Sequence, residues 1–589
     1  MKKRIVTLLL LVCLALTSIP TAFAEDDWYT YTYNFWGDEA ASPDAYSVEQ
    51  VLYGCSFGDE VGVFWNPESM FVIDDLLYVV DSKNNRIVEL QYVKGEFELV
   101  RVIYNLQVSM DKKDVMKIGD DIVLTFLEPG DIFVKAVSKE QRKKVYGSYI
   151  GELYVPEEKE EETAPATTET AKTADSGEAK EGESTEKPEG GEGTTETPTP
   201  TPTPAPAKTK KENINKKTLF RDYDLYIADT QNHRIIHCDY NLNVIGVVDN
   251  PQDETLAADY KFLPSKFVVD EAFRYYVQAT NINAGLMEFT KDGTFNGYIG
   301  ASPVTISFAQ RIWRKIQTQE QIKRTQQYVP TEYNNVTMDS KGFLYVTTSS
   351  LTDKEIAAGT GKPIRKLNSM GTDILIRNGN FYPIGDLKTG QGTKITGSSA
   401  FVDCVTFENE TYACLDNTRG RLFFYDFQGN MLYAFGNNGM HEGSFLNPSS
   451  VVKLDEETLA VLDRFCGTIT IFTMTHYGKL VNQALSLYRL GHYDESADIW
   501  RDVLKYNGNC ELAYVGIGRS LLRQGDYVGA MKNFEIVRDK QNYSKAFKYH
   551  REEVVEKNIV LFIVVLVVIF GLPKLIRKII RMRKEIIEA

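Results

Sequence analysis

LYVVDSKNNRI, residues 77–87, is the stretch of sequence that decides the fold, because it returns as LYIADTQNHRI at residues 225–235. In both copies a run of strand-forming residues ends at an aspartate. An asparagine, an arginine and an isoleucine follow three, five and six positions later. The same spacing in two distant parts of the chain indicates an internal structural repeat.

This pattern resembles the NHL repeat, whose copies are the blades of a β-propeller. Because one blade cannot bury its two faces alone, the resemblance implies an array of blades closed into a ring. Weaker copies follow, and each tends to open with a proline before its first strand. Pro67 lies 14 residues before Asp81, and Pro448 lies 15 residues before Asp463. These nearly equal intervals indicate a shared register.

We therefore expect an all-β propeller of six blades over residues 28–475, with five or seven blades as alternatives. The expected blades cover residues 65–106, 126–248 with a long interruption, 262–299, 333–376, 400–435 and 445–472. The last of them is one strand short. A strictly alternating run, YTYTYNF at residues 29–35, predicts a strand. We expect it to complete the sixth blade and close the ring, which leaves few exposed strand edges.

The aspartate and arginine of the repeat have two interpretations. In the structural one, the two side chains of each copy tie neighbouring strands by a charge-assisted hydrogen bond. In the other, they form a charged binding pair. The predicted repeat positions are Asp81, Asn84, Arg86, Asp229, Asn232, Arg234, Asp416 and Arg421. Ala279 replaces the aspartate in the third blade and Thr468 replaces the arginine in the sixth, so we expect these two blades to be less regular.

Two apolar segments lie near the ends of the chain. The first follows a basic start, MKKR, and ends in AFA at residues 22–24, which predicts a secretory signal peptide over residues 1–24. The second predicts a single transmembrane helix over residues 558–576, with a buried core helix as the alternative. The basic residues after it place residues 577–589 in the cytoplasm and the larger part of the chain outside. The predicted membrane-flanking residues are Lys574, Arg577, Lys578 and Arg581.

Two further segments depart from the propeller pattern. Within residues 157–217 Glu, Thr, Gly, Lys and Pro dominate, so the composition predicts a disordered insertion. Strand-like runs on both sides of it belong to one blade, so we expect a loop tip, with a domain boundary as the alternative. Residues 302–327 carry apolar side chains one helical turn apart, which predicts an amphipathic helix. It would pack on the propeller or, alternatively, bind a partner.

The period changes after the propeller. Gly491 and Tyr493 recur as Gly525 and Tyr527, an offset of 34 residues. Small residues where helices touch, the Gly-x-Tyr turn and this period resemble tetratricopeptide repeats. The resemblance implies two helical repeat units and a trailing helix over residues 476–557. Because two units are near the lower limit for independent stability, we expect them to pack against the propeller or a membrane partner.

Composition and motifs exclude several kinds of chemistry. A net charge of −15 gives no general attraction to nucleic acid, and the sequence contains no phosphate loop, dinucleotide fingerprint or HExxH motif. His233 and His237 could share a metal, but a surface position and a strand residue explain them better. The sequence therefore assigns no catalytic, metal or cofactor-binding residue. Cys404 and Cys414 are expected to face each other across a hairpin, as core residues or as a disulfide.

Two classes of function remain. In the first, the chain is a membrane-anchored extracytoplasmic binding or scaffold protein, whose propeller binds a ligand or protein and whose helical repeats dock another protein. This combination resembles extracytoplasmic NHL sensor domains and Gram-positive bacterial proteins that accompany ABC-type transporters. In the second, the chain resembles a propeller hydrolase or lyase, such as a calcium-dependent lactonase with its metal in the central channel. Because histidine-rich ligation is absent, we favour binding, although fold alone does not decide function.

Overall fold

The structure is a computed structural model that describes most of the chain. The described residues are 30–34, 36–108, 123–146, 212–251, 253, 256, 260–280, 282–301, 332–348, 351, 355, 360–377, 383–387 and 397–588. Three predictions therefore lie outside the described residues: the signal peptide at 1–24, the helix at 302–327 and most of the insertion at 157–217.

Six antiparallel sheets form the blades, so the prediction of a six-bladed propeller is confirmed. Blades 1 to 3 consist of Pro67–Ile73, Leu76–Asp81, Arg86–Val93 and Glu96–Ile103; Asp131–Ala136, Tyr223–Asp229, Arg234–Asp239 and Val244–Val248; and Pro264–Val269, Tyr275–Ala279, Gly285–Phe289 and Phe295–Gly300. Blades 4 to 6 consist of Asn335–Met338, Leu344–Thr347 and Ile364–Leu367; Phe401–Thr406, Tyr412–Asp416, Arg421–Tyr425 and Met431–Phe435; and Pro448–Lys453, Thr458–Asp463, Thr468–Met474 and Tyr46–Tyr53. The first strand of each blade contacts the first strands of both neighbouring blades, which closes a ring around a central channel.

The repeat signature follows from the position of the second strand in a blade. Every residue of Leu76–Asp81 and Tyr223–Asp229 is buried, because a strand inside a blade meets a neighbouring blade on each face. A continuous apolar run such as LYVV suits that position. In the turn that follows, Asn85 and His233 adopt φ values of 53° and 61°, a left-handed conformation that Asn and His tolerate better than most residues.

A different strand from the predicted one closes the ring. Tyr46–Tyr53 pairs with Thr468–Met474 and completes blade 6, whereas Tyr31–Tyr33, within the predicted strand, lies against the last strand of blade 5. The closure prediction was therefore wrong. Apolar and polar residues do not alternate strictly along the closing strand. A bulge shifts its register, and the strand forms the half-exposed outer edge of the blade. The Tyr31 hydroxyl is held at blade 5 by the buried Asp386 carboxylate, at 2.9 Å.

The regularity of the blades does not follow the repeat signature. Blades 3 and 6 each have four strands, and blade 4 is the one described with three, so the prediction that blades 3 and 6 are less regular was wrong. In blade 6, Asp463 accepts hydrogen bonds from the backbone N–H groups of Leu446, Phe465 and Cys466, at 2.6 to 2.8 Å. Backbone donors therefore replace the missing arginine.

The described end of the predicted insertion belongs to blade 1. Ile214–Asn215 pairs with Arg101 and Val102 on the outer strand of that blade. The Asn213 side chain accepts hydrogen bonds from the backbone N–H groups of Tyr104 and Asn105, at 2.8 and 3.1 Å. The insertion therefore ends before residue 212, and not at residue 217 as predicted.

Short strands, three 3₁₀ helices (Gly54–Phe57, Ser82–Asn84 and Thr230–Asn232) and six α-helices complete the described elements. The strands are Tyr31–Tyr33, Glu39–Ala41, Asn105–Gln107, Val123–Thr125, Ile214–Asn215, Asn437–Asn438 and Ser444–Phe445. The helices are α1 (Lys139–Tyr146), α2 (His476–Leu490), α3 (Tyr493–Tyr506), α4 (Glu511–Gln524), α5 (Tyr527–Ile536) and α6 (Lys540–Glu588). Helix α1 follows the first strand of blade 2, and α2 to α6 form the C-terminal region.

Helices α2 to α5 form two hairpins that repeat the same turn. Gly491 ends α2 and Gly525 ends α4, each with φ of 90°, a conformation in which glycine has no steric penalty. Small residues bring the helices close together. A Cβ atom on Gly516 would lie 2.3 Å from Nε1 of Trp500, and one on Gly518 would lie 2.6 Å from the Phe534 ring. The two buried aromatic rings therefore require glycine opposite them.

The helical hairpins and the propeller have one hydrophobic core in common, which we call the shared core. It joins apolar residues of blades 5 and 6 to buried residues of α2, α3 and α4. Close backbone contact accompanies it, because a Cβ atom on Gly478 would lie 2.4 Å from the Ala45 carbonyl oxygen. The Thr475 hydroxyl caps α2 by accepting from Gly478 N–H at 3.3 Å. The helical region therefore packs against the propeller, as its small size led us to expect.

Helix α6 begins in the helical region and continues through the apolar segment. Ala546 of α6 is fully buried and packs with Phe534 of α5. Further along, α6 is long and apolar enough to cross a membrane, and its most apolar part is not buried against any described residue. The alternative of a buried core helix is therefore contradicted by the structure.

The insertion supplies a test of these boundaries. Replacing residues 157–211 with a short Gly and Ser linker is expected to leave the Tm within about 3 °C of wild type, because loop length changes closure entropy only slowly. Extending the replacement to residue 217 removes the Asn213 hydrogen bonds and the strand on blade 1, so a clear fall in Tm is expected. Thermal unfolding of the two variants would be compared by circular dichroism. An equal Tm for both would contradict the new boundary.

Candidate functional site

The two strongest copies of the repeat carry buried ion pairs. Arg86 lies 2.7 Å from Asp81, and Arg234 lies 2.9 Å from Asp229. Both aspartates are fully buried. The pKa of each carboxyl is raised overall, because burial outweighs the opposing effect of the hydrogen-bonded asparagine and arginine.

Each of these aspartates also holds the loop that leads into its blade. Asp81 accepts from Trp65 N–H, and Asp229 accepts from Leu127 N–H, both at 2.8 Å. Asn84 and Asn232 donate to the same aspartates at 2.8 and 2.9 Å. The aspartate therefore ties the turn after the second strand to the loop before the first strand, a contact additional to the predicted pair between neighbouring strands.

The third predicted pair, Asp416 and Arg421, does not form. The two residues are opposite each other in the strand register, but the arginine Nη1 lies 2.7 Å from Oδ2 of Asp386. Asp416 instead accepts from the Ser399 hydroxyl at 2.7 Å and from Ala400 N–H at 2.8 Å. The prediction of this pair was therefore wrong. Asp386, which lies outside the repeat signature, binds the arginine in place of Asp416.

Six polar side chains meet in the central channel, near the beginning of the first strands. We call them the channel ring, and they are Ser69, Asp131, Lys266, Asn335, Asp403 and Ser450. None is more than 9% exposed. In four blades a bulge directly precedes the ring residue, and bulges re-aim side chains in this way. A cavity of about 300 Å³ lies among the first strands of all six blades.

The channel ring links each of several blades to the next. A first strand is the inner edge of its sheet, so its outward N–H groups have no strand partner and need another acceptor. Asp131 accepts from Phe267 N–H at 3.0 Å, and Asp403 accepts from Val451 N–H at 2.8 Å. Ser450 accepts from Met70 N–H at 3.3 Å. Each acceptor belongs to one blade and each donor to the following blade.

Asp403 is saturated with donors. Its Oδ1 accepts from Asn335 Nδ2 and from Cys404 N–H, both at 2.8 Å. Its Oδ2 accepts from the Ser450 hydroxyl at 2.9 Å and from Val451 N–H at 2.8 Å. The pKa of this carboxyl is raised overall, because burial outweighs the opposing effect of Lys266 and the backbone donors. Asp403 therefore acts as a junction between three blades.

Lys266 is the one member of the channel ring that cannot accept a hydrogen bond, because its ammonium group has donors only. Its Nζ lies 3.7 Å from Oδ1 of Asp131 and 3.5 Å from the Glu68 carbonyl oxygen. Both contacts are long for hydrogen bonds. The pKa of Asp131 is raised overall by burial, and the positive charge of Lys266 offsets part of this rise. Lys266 therefore has donor capacity to offer to a polar atom in the cavity.

Beyond the channel ring, the wall of the cavity is mainly apolar. Phe71, Phe133, Val268, Val405 and Val452 line it, and the first two rings lie 4.9 Å apart between centroids. A small molecule with an apolar body and a hydrogen-bond acceptor at one end would complement this wall together with Lys266.

The described residues do not fit a catalytic calcium site in the channel. No group of three or more His, Cys, Asp or Glu side chains among them is placed to hold a metal ion. Calcium takes six to eight oxygen ligands, whereas the Asp403 oxygens are occupied by donors and Lys266 brings a positive charge. His233 and His237 have separate partners, the Phe262 carbonyl and the Asp224 carboxylate, each at 3.0 Å.

The predicted pairing of Cys404 with Cys414 is confirmed by the strand register. Their sulfur atoms lie 3.6 Å apart, and both residues are buried free thiols in the structure. Burial raises the pKa of the Cys414 thiol. The pair therefore serves as core packing in this state of the protein.

Sequence reasoning missed the channel ring. A signal was present, because Ser69, Lys266 and Ser450 each lie two residues after the proline that opens a first strand. A polar residue at that place in several copies marks a common register position. It was not recognised because the residues differ in type and charge, unlike the constant aspartate of the second strand.

Comparisons with known proteins found only distant similarity. No protein-family model and no curated protein matches the sequence. Virginiamycin B lyase from Staphylococcus aureus is 8% identical, and the match covers 73% of this chain and 100% of the lyase, with a TM-score of 0.30. The extracellular domain of BT4673 from B. thetaiotaomicron is 10% identical, and the match covers 74% of this chain and 43% of that one, with a TM-score of 0.32. No activity is transferred to this chain at such values.

The repeat ion pair yields a stability test. Asp229→Ala removes the acceptor of the Leu127 N–H and leaves Asn232 and Arg234 only their contacts with the Thr125 carbonyl oxygen. A loss of about 1–3 kcal/mol is therefore expected. Arg234→Ala is expected to cost less, because its side chain is 18% exposed and Asp229 keeps its other donors. Chemical denaturation would measure both. Unchanged stability with lost ligand binding would instead favour the binding interpretation.

The channel ring yields a test of pH dependence. Lys266→Met removes the charge that lowers the pKa of Asp131, so the folded-state pKa of that carboxyl should rise further above its unfolded value of about 4. A raised carboxyl pKa stabilises the folded state at low pH, and this stability is lost as pH rises through the folded pKa. We expect Tm to fall more steeply with rising pH in Lys266→Met than in wild type. Lys94→Met, at an exposed turn outside the channel, is the control, and equal pH profiles would contradict the role of Lys266.

Proposed function

We propose that this chain is a membrane-anchored extracytoplasmic binding or scaffold protein. Its propeller recognises a ligand or protein, and its helical hairpins hold that propeller over a membrane complex. The observation that carries the proposal is the shared core, which joins blades 5 and 6 to α2, α3 and α4 without a flexible linker. Helix α6 continues from this unit through the apolar segment.

Membrane anchoring and orientation are supported by the sequence at the two ends. The signal-peptide pattern at residues 1–24 would direct export. An apolar helix followed by basic residues would stop in the membrane with its C-terminal end in the cytoplasm. The basic residues are Lys574, Arg577, Lys578 and Arg581. We therefore propose a cell-membrane protein in which the apolar segment of α6 crosses the membrane, the propeller is external and the basic residues after Pro573 are internal.

Recognition by the propeller is supported by the channel and by the surface beside it. Lys266 offers a donor to a small ligand with a polar acceptor. Val63, Trp65 and Phe465 are 72%, 64% and 71% exposed, respectively. They lie on the loop before the first strand of blade 1 and on a turn of blade 6, and Arg464 of that turn forms an ion pair with Glu68 of the strand. An exposed apolar patch of this kind suits contact with another protein.

The helical hairpins support docking through their outer helices. The first helices, α2 and α4, face the propeller: the ring of Tyr488 stacks on that of Phe427, and Arg519 donates to Gln428. The faces that would line a groove in a repeat array are therefore covered. A docked protein, for which a transporter component is our proposal, would contact α3, whose exposed residues include Asp494 and Glu495. A rigid stalk without docking is the alternative.

Affinity isolation from intact membranes tests the proposal. The tagged full-length protein would be crosslinked briefly, and its partners would be identified by mass spectrometry. Trp65→Ser with Phe465→Ser removes two exposed apolar side chains from the propeller, and Asp494→Asn with Glu495→Gln removes two negative charges from α3. We expect at least one pair of substitutions to reduce partner recovery about tenfold, the loss that follows when about 1.4 kcal/mol of binding free energy is removed. Glu96→Gln, at an exposed position of blade 1 away from both surfaces, is the surface control.

Two results would contradict this proposal. Recovery of no protein beyond those captured by an unrelated single-span protein would sink the scaffold role. Protection of the propeller from protease added to intact cells would overturn the orientation. Loss of partners only with the α3 substitutions would favour docking over a rigid stalk.

A further inference from the structure

The end of α6 beyond Pro573 is strongly amphipathic. At 3.6 residues per turn, its apolar side chains occupy an arc of about 160° and most of its basic side chains occupy the opposite arc of about 120°. The apolar residues are Leu575, Ile576, Ile579, Ile580, Met582, Ile586 and Ile587. The basic residues of the opposite arc are Lys574, Arg577, Lys578, Arg581 and Lys584. Every apolar residue of this set is between 44% and 78% exposed.

This amphipathic segment begins at the level of the inner membrane surface. The uncharged run at residues 559–573 is about 22 Å long at 1.5 Å per residue, shorter than the roughly 30 Å core of a bilayer. A bilayer thins around a span that is too short, and lysine and arginine side chains extend to the interface, so the basic residues that follow reach the lipid headgroups. Pro573 lies inside the helix at this point. Since proline lacks an N–H group and crowds the preceding turn, the helix can bend there.

We propose that residues 574–588 lie along the inner leaflet of the membrane, with the apolar arc among the acyl chains and the basic arc against anionic headgroups. This rests on the membrane anchoring in the proposed function. The bilayer is the favoured occupant because it is continuous with the preceding span and because clusters of basic residues beside a span attract anionic lipids. Glu585 and Glu588 are the two acidic residues within the basic arc.

A second copy of the chain is the less suitable occupant of the apolar arc. An arc of about 160° is wider than the narrow seam of a coiled coil. Arg583 lies inside this arc. At a bilayer surface its long side chain can extend to the headgroups, whereas in a helix pair it would be buried. The bilayer therefore satisfies both the width of the arc and the arginine within it.

Site-specific labelling tests this placement in the full-length protein. Single cysteines at Ile579→Cys and Ile586→Cys report the apolar arc, and Arg581→Cys and Lys584→Cys report the basic arc. The protein would be placed in nanodiscs of phosphatidylcholine with phosphatidylglycerol and, separately, of phosphatidylcholine alone. Labelling by a water-soluble maleimide would be quantified at each site by mass spectrometry. In the anionic discs we expect labelling about tenfold slower on the apolar arc, because that arc would lie below the headgroups.

The outcomes separate the possible occupants. Similar rates at all four positions would overturn the proposal, since a helix projecting into water exposes every side. Crosslinks between copies at Ile579→Cys would overturn it in favour of a second chain. The contrast is expected to weaken without phosphatidylglycerol, and an equal contrast in both discs would overturn the role of anionic lipid.

A separate measurement keeps the proposed topology distinct from this inference. The exposed native Cys55 should react with the same maleimide added outside intact cells, and the cysteines of the tail should not. The reverse pattern would refute the orientation, and with it the inner leaflet as the site of the helix. An arc-dependent rate in nanodiscs would still support a surface-lying amphipathic helix in that case.

Discussion

The hydrogen bond that a side chain of one blade accepts from the backbone of the next blade is the constraint on which the propeller depends. Apolar contact between blades is strong but has no direction, so it does not by itself fix how one blade is placed against another. The N–H groups of Met70, Phe267 and Val451 supply that direction by donating to Ser450, Asp131 and Asp403. These N–H groups on the inner edges of blades 1, 3 and 6 are thus satisfied without filling the channel.

This arrangement also explains why the polar residues of the channel differ from blade to blade. An aspartate, an asparagine or a serine can each accept or relay a hydrogen bond at the same register position. Lys266 cannot accept, so blade 3 gives up that contact with blade 4 and gains a donor that faces the cavity. A candidate recognition group therefore occurs where the structural rule of the ring is broken, which is often true of functional sites.

The sequence predicted those features that depend on one strand and its own turn. The six blades, the aspartate contacts of Asp81 and Asp229, and the helical hairpins after the propeller all rest on local patterns. The closing strand at Tyr46–Tyr53 was missed because an edge strand has only one neighbour and needs no strict alternation. The Arg421 partner was missed because Asp386 comes from an irregular segment that carries no repeat pattern.

The closing strand also sets the order in which the propeller can be assembled. Ser47 and Thr473 are hydrogen-bonded although they lie 426 positions apart in the chain. If the chain crosses the membrane from its N-terminus, the residues that close the ring emerge first and must wait, unpaired, for the last strand of blade 6. That strand is followed at once by α2 and the shared core, and then by α6. Completion of the ring, docking of the helices and arrest in the membrane would therefore fall together at the end of export, and a secretion intermediate would carry an open propeller edge until then.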